Sequence, residues 1–358
     1  MTDTWMLVET TGNGEPVITF RKGRPASFAS LNSCRREYFR GNGAAIGVLR
    51  SVIDAARSSG EPTTDRVTID RESAPTTITG IPVVGPFGVV HAVQVWIAPE
   101  GVQPPAPRRV GAFEWHADTR LTHHGPTIER EILGIADAQD VRVSHEVFQY
   151  FTDFEREGDL GQFIIEISTE GAQDGDTFSS YLVVKRDDDP DARNRCFMTI
   201  RAVRDTVSGK LVARGVVHDV SDVQPGQQAG GFDRQTARLV ANLDDREMGI
   251  GRIDFATGII TEWLRHPPGP LDLWLTHNEE FHSDDTPRII EAQQALLLKG
   301  LDRVRYRARV RFGESPWIWA EFVLTPDMPG ASGGGMITAR PLEADEISAP
   351  DNDVVHHN

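Results

Sequence analysis

One segment, residues 195–222 (RCFMTIRAVRDTVSGKLVARGVVHDVSD), constrains the fold of this chain more than any other. Two runs rich in β-branched residues flank Ser208-Gly209, a pattern typical of two paired strands. A polar stretch at 218–222 follows the second run. Residues 76–98 and 316–341 have a similar pattern and lie about a hundred residues before and after it. The sequence therefore predicts three units of similar size, each closed by a strand pair.

Length and charge limit the classes of protein to which the chain can belong. At roughly 100–200 residues per domain, 358 residues correspond to two or three domains. The formal net charge of −16 disfavours binding to nucleic acid or to an anionic membrane surface, because both need clustered Lys and Arg. We therefore expect no nucleic-acid partner and no insertion into a membrane.

The two cysteines and the N-terminal residues favour a cytoplasmic location. Cys34 and Cys196 are far apart and form no disulfide framework. The first residues, MTDTWMLVET, lack the basic and apolar segments of a signal peptide. The longest apolar runs are also shorter than the ~18 residues that cross a bilayer.

Proline, glycine and charge divide the predicted strands and helices into domains. The stretch 99–110 contains four prolines, and the stretch from 223 begins with polar residues and glycine. The predicted organisation is a first domain at 1–98, a proline-rich linker at 99–110, a second domain at 111–222, a linker with a connector helix at 223–246, a third domain at 247–342 and a disordered acidic tail at 343–358.

Each domain is predicted to be an antiparallel sheet flanked by helices, which makes the fold class α+β. The first domain has strands at 5–10 and 17–20, a helix at 44–58 and closing strands within 76–98. The second has a hairpin at 111–123, helices at 128–136 and 144–156, and strands at 162–168, 178–186, 196–205 and 210–217. The third has a hairpin at 249–263, a helix ending at Lys299, and strands at 303–312, 317–325 and 335–340.

Several short motifs resemble those of sensor domains. The second and third units resemble PAS domains in their opening hairpins, GAFEWHADTRLT and GIGRIDFATGIITEW, and in their three-stranded close. FHSDD at 281–285 is similar to a step before the last PAS helix, with Ser283 where proline is usual, and GVVHDVS at 215–221 is similar to the last PAS strand and its exit. The first unit looks more like a GAF domain. The whole chain resembles an actinobacterial, mycobacterial-type family of triple sensor-domain proteins without an effector domain.

This resemblance implies a function without supplying catalytic residues. It implies a non-catalytic cytoplasmic sensor and scaffold that integrates signals through its GAF and PAS domains and passes them to a separate signalling partner. Domain orientation would shift across the connectors at 99–110 and 222–246. The strand faces of the PAS units and a helix at 234–246 would be the contact surfaces. The alternative is a sensor that binds a small molecule or cofactor, such as haem, flavin or a lipid, in a PAS cavity.

Aromatic stripes are the candidate ligand-binding residues. One stripe, at 147–154, includes Phe148 and Phe151, and another, at 263–274, includes Trp263 and Trp274. These four side chains could line a cavity. The plainer interpretation is a filled core, since periodic aromatic residues usually pack against one another. The sequence identifies no cofactor.

Other motifs match catalytic or metal sites only in part. GNGAAIG at 41–47 lacks the strand and spacing of a dinucleotide site, and GASGG at 330–334 lacks the elbow that a nucleophilic Ser332 requires. The acidic run at 187–191 lacks an EF-hand pattern, and Cys34 and Cys196 are interpreted as ordinary buried thiols. We therefore predict no catalytic residue and no metal site here.

Histidines are the remaining candidates for a haem or metal ligand. The second domain contains His116, His123, His124, His145 and His218, and the third contains His266, His277 and His282. None of these has a fixed metal-ligand spacing on a helix. They are interpreted as surface or strand-end residues, and a metal or haem site is the alternative.

Overall fold

A computed structural model of the chain describes residues 5–12, 14–69, 74–169, 171–189, 191–223, 247–255, 258, 260–299, 301–326, 334–347 and 355–357. These residues form three antiparallel sheets with flanking helices, so the α+β class and the arrangement of three sheets in tandem are confirmed. The predicted connector helix at 234–246 and the loop around Ser332 lie outside the described residues.

The first sheet packs against one amphipathic helix. Its strands are β1 (Met6–Glu9), β2 (Val17–Arg21), β3 (Arg24–Ser30), β4 (Thr63–Val67), β5 (Thr76–Val84) and β6 (Val90–Pro99), in the order β3-β2-β1-β6-β5-β4. A short helix, α1 (Cys34–Phe39), precedes α2 (Gly43–Ser59). The Asn42 side chain caps the start of α2, and Gly60 ends it with a positive φ of 70°. The buried side of α2 includes Leu49, Val52 and Ile53.

The second sheet begins with a hairpin and ends with three long strands. Its strands are β7 (Val110–His116), β8 (Leu121–His124), β9 (Val141–Val143), β10 (Phe151–Phe154), β11 (Thr177–Lys185), β12 (Arg193–Arg204) and β13 (Leu211–Asp219). Their order is β10-β11-β12-β13-β7-β8-β9. A π-helical segment (Ile128–Leu133), α3 (Ser144–Phe148) and α4 (Glu157–Ser168) lie between the hairpin and the closing strands in the chain.

The third sheet repeats this plan. Its strands are β14 (Gly249–Asp254), β15 (Ile260–Arg265), β16 (Glu279–Phe281), β17 (Arg303–Phe312), β18 (Ile318–Pro326) and β19 (Gly334–Pro341), in the order β15-β14-β19-β18-β17-β16. The helix α5 (Thr286–Lys299) packs on β17, and its residues Ala292, Ala295 and Leu296 join the buried core of this sheet. A short helix, α6 (Ala344–Ile347), and a last strand, β20 (Val355–His357), follow, and β20 pairs with β17.

The three sheets are grouped into two compact units. The first unit is Met1–Val141 with Asp153–Ala229 and contains the first sheet and most of the second. The second is Arg142–Thr152 with Gly230–Asn358 and contains the third sheet. In the second unit, α3 lies against β15, so a short segment from the middle of the chain packs with its C-terminal part.

One predicted strand is a helix. Residues 162–168, expected to be a strand, form the second half of α4. The buried residues of this segment, Leu160, Phe163 and Ile167, recur at three- and four-residue spacing, which is the period of a helix rather than of a strand. The interpretation failed because the short run FIIEI is apolar enough to fit either period.

One predicted helix is divided. The expected helix at 144–156 is helical only in α3, and Phe151 and Phe154 lie on β10. Both rings are buried, so their burial was predicted correctly although their element was not. At three-residue spacing, aromatic side chains also fit a turn followed by a strand.

The C-terminal tail differs from the predicted disordered segment at 343–358. Residues 344–347 are helical and residues 355–357 form β20. The helix is held by Glu346, whose two carboxylate oxygens accept hydrogen bonds from Arg340 at 3.0 and 2.9 Å. This ion pair joins the tail to a strand of the sheet, which composition alone does not reveal.

No helix within the described part of the chain is long and apolar enough to cross a membrane.

Candidate functional site

Two of the predicted ligand residues lie at the centre of an aromatic core in the second unit. Trp274 is almost fully buried, and its ring centroid is 5.5 Å from that of Trp263 and 5.4 Å from that of Phe312. Phe322 lies 6.0 Å from Trp274 and is stacked on Tyr306 at 5.2 Å. These edge-on and stacked distances are those of packed aromatic side chains.

The two indole nitrogens of this core differ. Trp274 Nε1 donates a hydrogen bond to Glu279 Oε2 at 3.1 Å. Trp263 Nε1 is buried and has no hydrogen-bond partner among the described residues. A buried N–H without a partner costs free energy, so a bound hydrogen-bond acceptor at this atom would be stabilising.

The other two predicted residues lie in the middle segment of the same unit. The rings of Phe148 and Phe151 meet edge-on with their centroids 5.5 Å apart. Phe148, on α3, is half-buried, whereas Phe151 is buried. Since α3 lies against β15, which carries Trp263, all four predicted residues belong to one compact unit although they come from two predicted domains.

A second candidate region lies between the first two sheets, within the first unit. Here one face of the second sheet packs on the first sheet, and we call the shared residues the intersheet layer. Its buried apolar members are Leu7, Phe20, Val83, Ala92, Val110, Ala112, Phe197, Val216 and Val220. The strand face of the second domain, which the sequence predicted as a contact surface, is therefore already covered by the first domain.

Phe20 lies in the middle of the intersheet layer. Its ring centroid is 5.8 Å from Phe197 and 4.9 Å from the edge-on ring of His218. The guanidinium of Arg108 lies 5.6 Å from the same ring, a cation–π distance. A side chain of the first sheet is thus enclosed by residues from the second sheet and from the linker.

An ion pair bridges the two sheets beside the apolar residues. Glu9 Oε2 accepts hydrogen bonds from Arg201 Nε at 2.9 Å and from Arg201 Nη2 at 2.6 Å. The other carboxylate oxygen accepts from the Thr11 backbone N–H at 2.6 Å and from the Thr11 hydroxyl. Glu9 is buried, so this pairing offsets the loss of its water.

The proline-rich linker is fixed to both sheets. The Gln94 side chain donates to the Arg108 carbonyl at 3.0 Å and accepts from its N–H at 3.1 Å, while Trp5 Nε1 donates to the Pro105 carbonyl at 3.0 Å. Arg108 also donates to Asp222 at 2.8 and 3.0 Å. The linker therefore connects two sheets that already share a buried layer.

Two buried histidines accompany this layer. His91 contacts the Gly215 carbonyl through Nδ1 at 3.3 Å, and since a carbonyl only accepts, Nδ1 carries the proton. Burial lowers the pKa of His91 to about 4, although the Gly215 carbonyl opposes this shift. Burial, with a smaller effect from the Arg108 charge, lowers the pKa of His218 to about 3. Both imidazoles are therefore neutral at pH 7.

Polar atoms in the layer lack hydrogen-bond partners. His91 Nε2, Thr199 Oγ1 and both ring nitrogens of His218 have none among the described residues. On β12 and β13, Phe197 lies opposite His218, and Thr199 lies opposite Val216. The layer therefore contains polar groups whose burial is costly unless the packing around them is maintained.

An exposed aromatic cluster lies at one end of the opening hairpin. Phe87 is 69% exposed, and its ring centroid is 5.0 Å from His123, which lies 4.8 Å from His116. His116 also contacts the buried carboxylate of Glu114 at 2.8 Å, and Arg214 Nε donates to Glu114 at 2.5 Å. Within the described residues, no group of three or more His, Cys, Asp and Glu side chains could hold a metal ion.

The remaining candidate residues have ordinary structural positions. The residues of the 41–47 motif form the cap and first turn of α2, and both cysteines are buried and free. Burial raises the pKa of Cys34 to about 11 and also raises that of Cys196 well above its usual range, which disfavours a reactive thiolate. His124 is buried against Glu129 at 2.6 Å. The side chain of His145 lies outside the described part of the chain.

Comparisons with solved structures include a match in fold over almost the whole chain. A crystal structure of an uncharacterized protein from Mycobacterium tuberculosis covers 97% of this chain and 98% of its own, with a TM-score of 0.71 and 18% identity. A sensory box histidine kinase/response regulator from Burkholderia thailandensis covers 38% of this chain and 90% of its own at 13% identity, with a TM-score of 0.23. The periplasmic sensory domain of the Campylobacter jejuni chemoreceptor Tlp1 covers 68% and 75% at 8% identity, with a TM-score of 0.19.

The mycobacterial structure shows that the chain is similar to it in fold over nearly its whole length. No curated protein matches the chain. Residues 4–106 match the family model described as Rv3651-like, N-terminal. The first domain is thus similar to this family model, and the chain as a whole is similar in fold to the mycobacterial protein.

Proposed function

We propose that the protein is a non-catalytic sensor and scaffold, built from one GAF-like and two PAS-like domains, which passes signals to a separate partner protein. The observation that carries this proposal is the repeated plan of the second and third sheets. Each opens with a hairpin, β7–β8 or β14–β15, and closes with three consecutive antiparallel strands, β11–β13 or β17–β19. These are the features by which the two sequences resemble PAS domains.

The intersheet layer supports a relay between the first two domains. Because Phe20 and Glu9 of the first sheet are held by Phe197 and Arg201 of the second, a displacement in one sheet changes the packing of the other. A ligand or partner that prefers one arrangement would shift the population of both domains together. This replaces the hinge predicted at 99–110 with a packed surface.

Capture of a partner protein tests the proposed scaffold role. The full chain, tagged and expressed at its native level, should recover from lysate a signalling protein that then binds the purified chain saturably. An unrelated acidic protein of similar pI is the control for charge-driven recovery. The scaffold role is contradicted if no recovered protein binds the purified chain above that control.

A second candidate function is binding of a small molecule or cofactor by the third domain. The observation that favours it is the unpartnered Trp263 Nε1 beside Trp274 in the aromatic core. An absorbance spectrum of freshly purified protein detects haem or flavin, and native mass spectrometry detects a colourless lipid. A bound molecule should be lost or weakened in Trp263→Phe, which removes the N–H and keeps an aromatic ring. Protein of the mass of the bare chain contradicts this candidate.

A further inference from the structure

The proline-rich linker at 99–110 lies on the surface of the first unit. Three of its prolines, Pro104, Pro105 and Pro107, fall within the stretch 101–107, in which every residue is exposed. Residues 102–109 form neither helix nor strand. The linker is therefore an ordered segment of irregular backbone that a second protein can reach.

The prolines restrict this stretch to an extended backbone with a threefold repeat. Each proline ring holds its own φ at about −65°. A residue that precedes a proline is also restricted to extended conformations, and Gln103, Pro104 and Ala106 are in that position. These restrictions favour the polyproline II helix, which has three residues per turn and no hydrogen bonds of its own. Residues three positions apart should therefore share one edge of the segment.

The contacts between the linker and the first unit have this threefold spacing. The carbonyl of Pro105 accepts a hydrogen bond from Trp5 Nε1 at 3.0 Å. The carbonyl of Arg108, three residues later, accepts one from Gln94 Nε2 at 3.0 Å. The Arg108 side chain is only 8% exposed and forms an ion pair with Asp222. The edge that contains residues 105 and 108 therefore faces the protein.

The other two edges of the segment face away from the protein. Pro104 and Pro107 share one of them, and Gln103, Ala106 and Arg109 share the other. The carbonyls of Pro104, Ala106 and Pro107 accept no hydrogen bond from another residue in the described part of the chain. Arg109 is exposed, unlike its neighbour Arg108. The outward edges thus present proline rings, hydrogen-bond acceptors and one cation.

These groups are the ones by which proline-rich segments bind other proteins. Two prolines three positions apart dock into a groove lined by aromatic side chains, and the exposed carbonyls accept hydrogen bonds there. A polyproline II helix is already extended before it binds, so it loses little conformational entropy. Here the hydrogen bonds at residues 105 and 108 also hold the segment in place, which lowers this cost further. A carboxylate in the groove would pair with the guanidinium of Arg109.

We propose that the outward edges of the linker at 103–109 are a docking site for a partner domain that has an aromatic-lined groove with a carboxylate at one end. Pro104 and Pro107 enter the groove, and Arg109, two residues after the second proline, meets the carboxylate. The site deepens the proposed scaffold role by naming the kind of partner, and it rests on that role for the existence of one.

A purified SH3 domain that selects PxxP segments followed by an arginine is the probe, and titration calorimetry with the full-length protein measures its affinity. We expect the full chain to bind this probe at least as tightly as a free peptide of residues 101–110, because the linker is already ordered in the folded protein. Pro104→Ala with Pro107→Ala should lower the affinity roughly tenfold or more, since both groove contacts are lost. Arg109→Gln should lower it several-fold.

Pro105→Ala is the matched control, because it removes a proline from the edge that faces the protein. Both Pro104→Ala and Pro105→Ala delete one ring from the same exposed segment and keep every carbonyl. Pro104→Ala should lower the affinity for the probe at least several-fold, whereas Pro105→Ala should change it little. Added salt should weaken the binding of the wild type more than that of Arg109→Gln, because only the wild type forms the ion pair with the groove.

Three outcomes overturn the docking site. The first is a free peptide that binds the probe when the full-length chain does not, since the linker is then inaccessible in the folded protein. The second is no binding of either, and the third is an equal loss of affinity in Pro104→Ala and Pro105→Ala. If a partner captured from lysate binds Pro104→Ala as tightly as the wild type, the scaffold role stands and this site falls. If the probe binds as expected but no partner is captured, the linker binds as proposed and the scaffold role falls.

Discussion

At the scale of single residues, the first unit is distinguished by neutral histidines held inside a packed layer. His91 and His218 are buried, and three of their four ring nitrogens have no partner among the described residues. The carboxylate of Glu114 and the guanidinium of Arg214 are close enough to influence His91, and Arg108 influences His218. Burial changes both pKa values more than these charges do, so both residues resist protonation in the folded protein.

Acid should therefore destabilise the first unit well above the pH at which its carboxylates titrate. An unfolded histidine binds a proton near pH 6.5, whereas the folded pKa values are about 4 for His91 and about 3 for His218. Between these values the unfolded state binds more protons, so stability falls as the pH is lowered below 6.5. Each histidine should lower the free energy of unfolding by about 2 kcal/mol between pH 7 and pH 5.

Urea unfolding followed by tryptophan fluorescence at pH 7 and pH 5 measures this loss. His218→Leu removes one of the two titrating groups while keeping the volume similar. It should leave stability at pH 7 within about 1 kcal/mol of the wild type and reduce the loss at pH 5 by about half. An unchanged loss in this variant would show that His218 titrates normally in the folded protein.

The Glu9–Arg201 pair should be worth more than the exposed ion pairs of the third sheet. Arg201→Met leaves the Glu9 carboxylate buried without its cation, and such changes cost about 3–5 kcal/mol. Arg311→Met, whose partner Glu280 is exposed, should cost much less, because water and salt screen that pair. Hydrogen exchange of β13 amides for the first variant, and of β18 amides for the second, measures each loss within its own unit. Equal losses would contradict the burial argument.

The sequence indicates some of these residues but not their partners. Glu9 interrupts an apolar strand, MLVE, and Arg201 interrupts TIRAV, so each could have been marked as a polar residue in need of a partner. Nothing in the sequence pairs two residues that lie 192 positions apart. The burial of Trp263, Trp274 and Phe151 was predictable from their spacing, because apolar periodicity is a local property.

At the scale of elements, periodicity identified the long strands and the long helices correctly. β12, β13 and α2 were predicted within a few residues, since each contains several repeats of its period. The segment now seen as α4 was misassigned because its second half, read alone, is a short apolar run. Close approaches between elements could not be predicted, because they depend on glycines whose role is visible only in three dimensions.

Gly125 is such a glycine. A Cβ at this position would lie 2.5 Å from the Val84 carbonyl oxygen and 3.0 Å from that of Ala112, so the first and second sheets could not keep their present spacing. Gly125→Ala should cost about 1–3 kcal/mol, as overpacking usually does. Gly47→Ala is the control, because this glycine lies inside α2 with nothing within 4 Å of an added Cβ. It should stabilise the helix by up to about 1 kcal/mol.

Thermal unfolding of both glycine variants tests the close approach of the sheets. The melting temperature should fall in Gly125→Ala and rise slightly in Gly47→Ala. A Gly125→Ala variant as stable as the wild type would mean that the backbone moves apart at little cost. The free-energy cost of moving the two sheets apart would then be smaller than their buried contacts indicate.

At the scale of the whole molecule, three predicted domains form two compact units. The proline-rich linker at 99–110 predicted separate first and second domains, because proline-rich segments usually act as spacers. The apolar outer face of the second sheet joins them instead. Val216 and Phe197 belong to this shared layer, and nothing in the sequence says which element covers them.

Cutting the linker should therefore leave the first two domains together. A protease site inserted after Val102, which is exposed, can be cleaved in the folded protein without touching the residues that hold the linker. The two fragments should elute as one species on size exclusion, because the intersheet layer and the Glu9–Arg201 pair remain intact. Fragments that separate immediately would show that the linker, and not the intersheet layer, holds the first two domains together. Arg201→Met should make the cleaved pair dissociate faster.

The membership of 142–152 in the second unit has a consequence for synthesis on the ribosome. This segment leaves the ribosome long before residues 334–341, which form β19 and complete the third sheet of the same unit. At about 5–20 residues per second, the delay is roughly ten to forty seconds. During this time α3, with Phe148, lacks the β15 strand against which it lies, so the nascent chain exposes this segment between two parts of a unit that can already fold. We therefore expect a chaperone to bind this segment while the rest of its unit is still being synthesised.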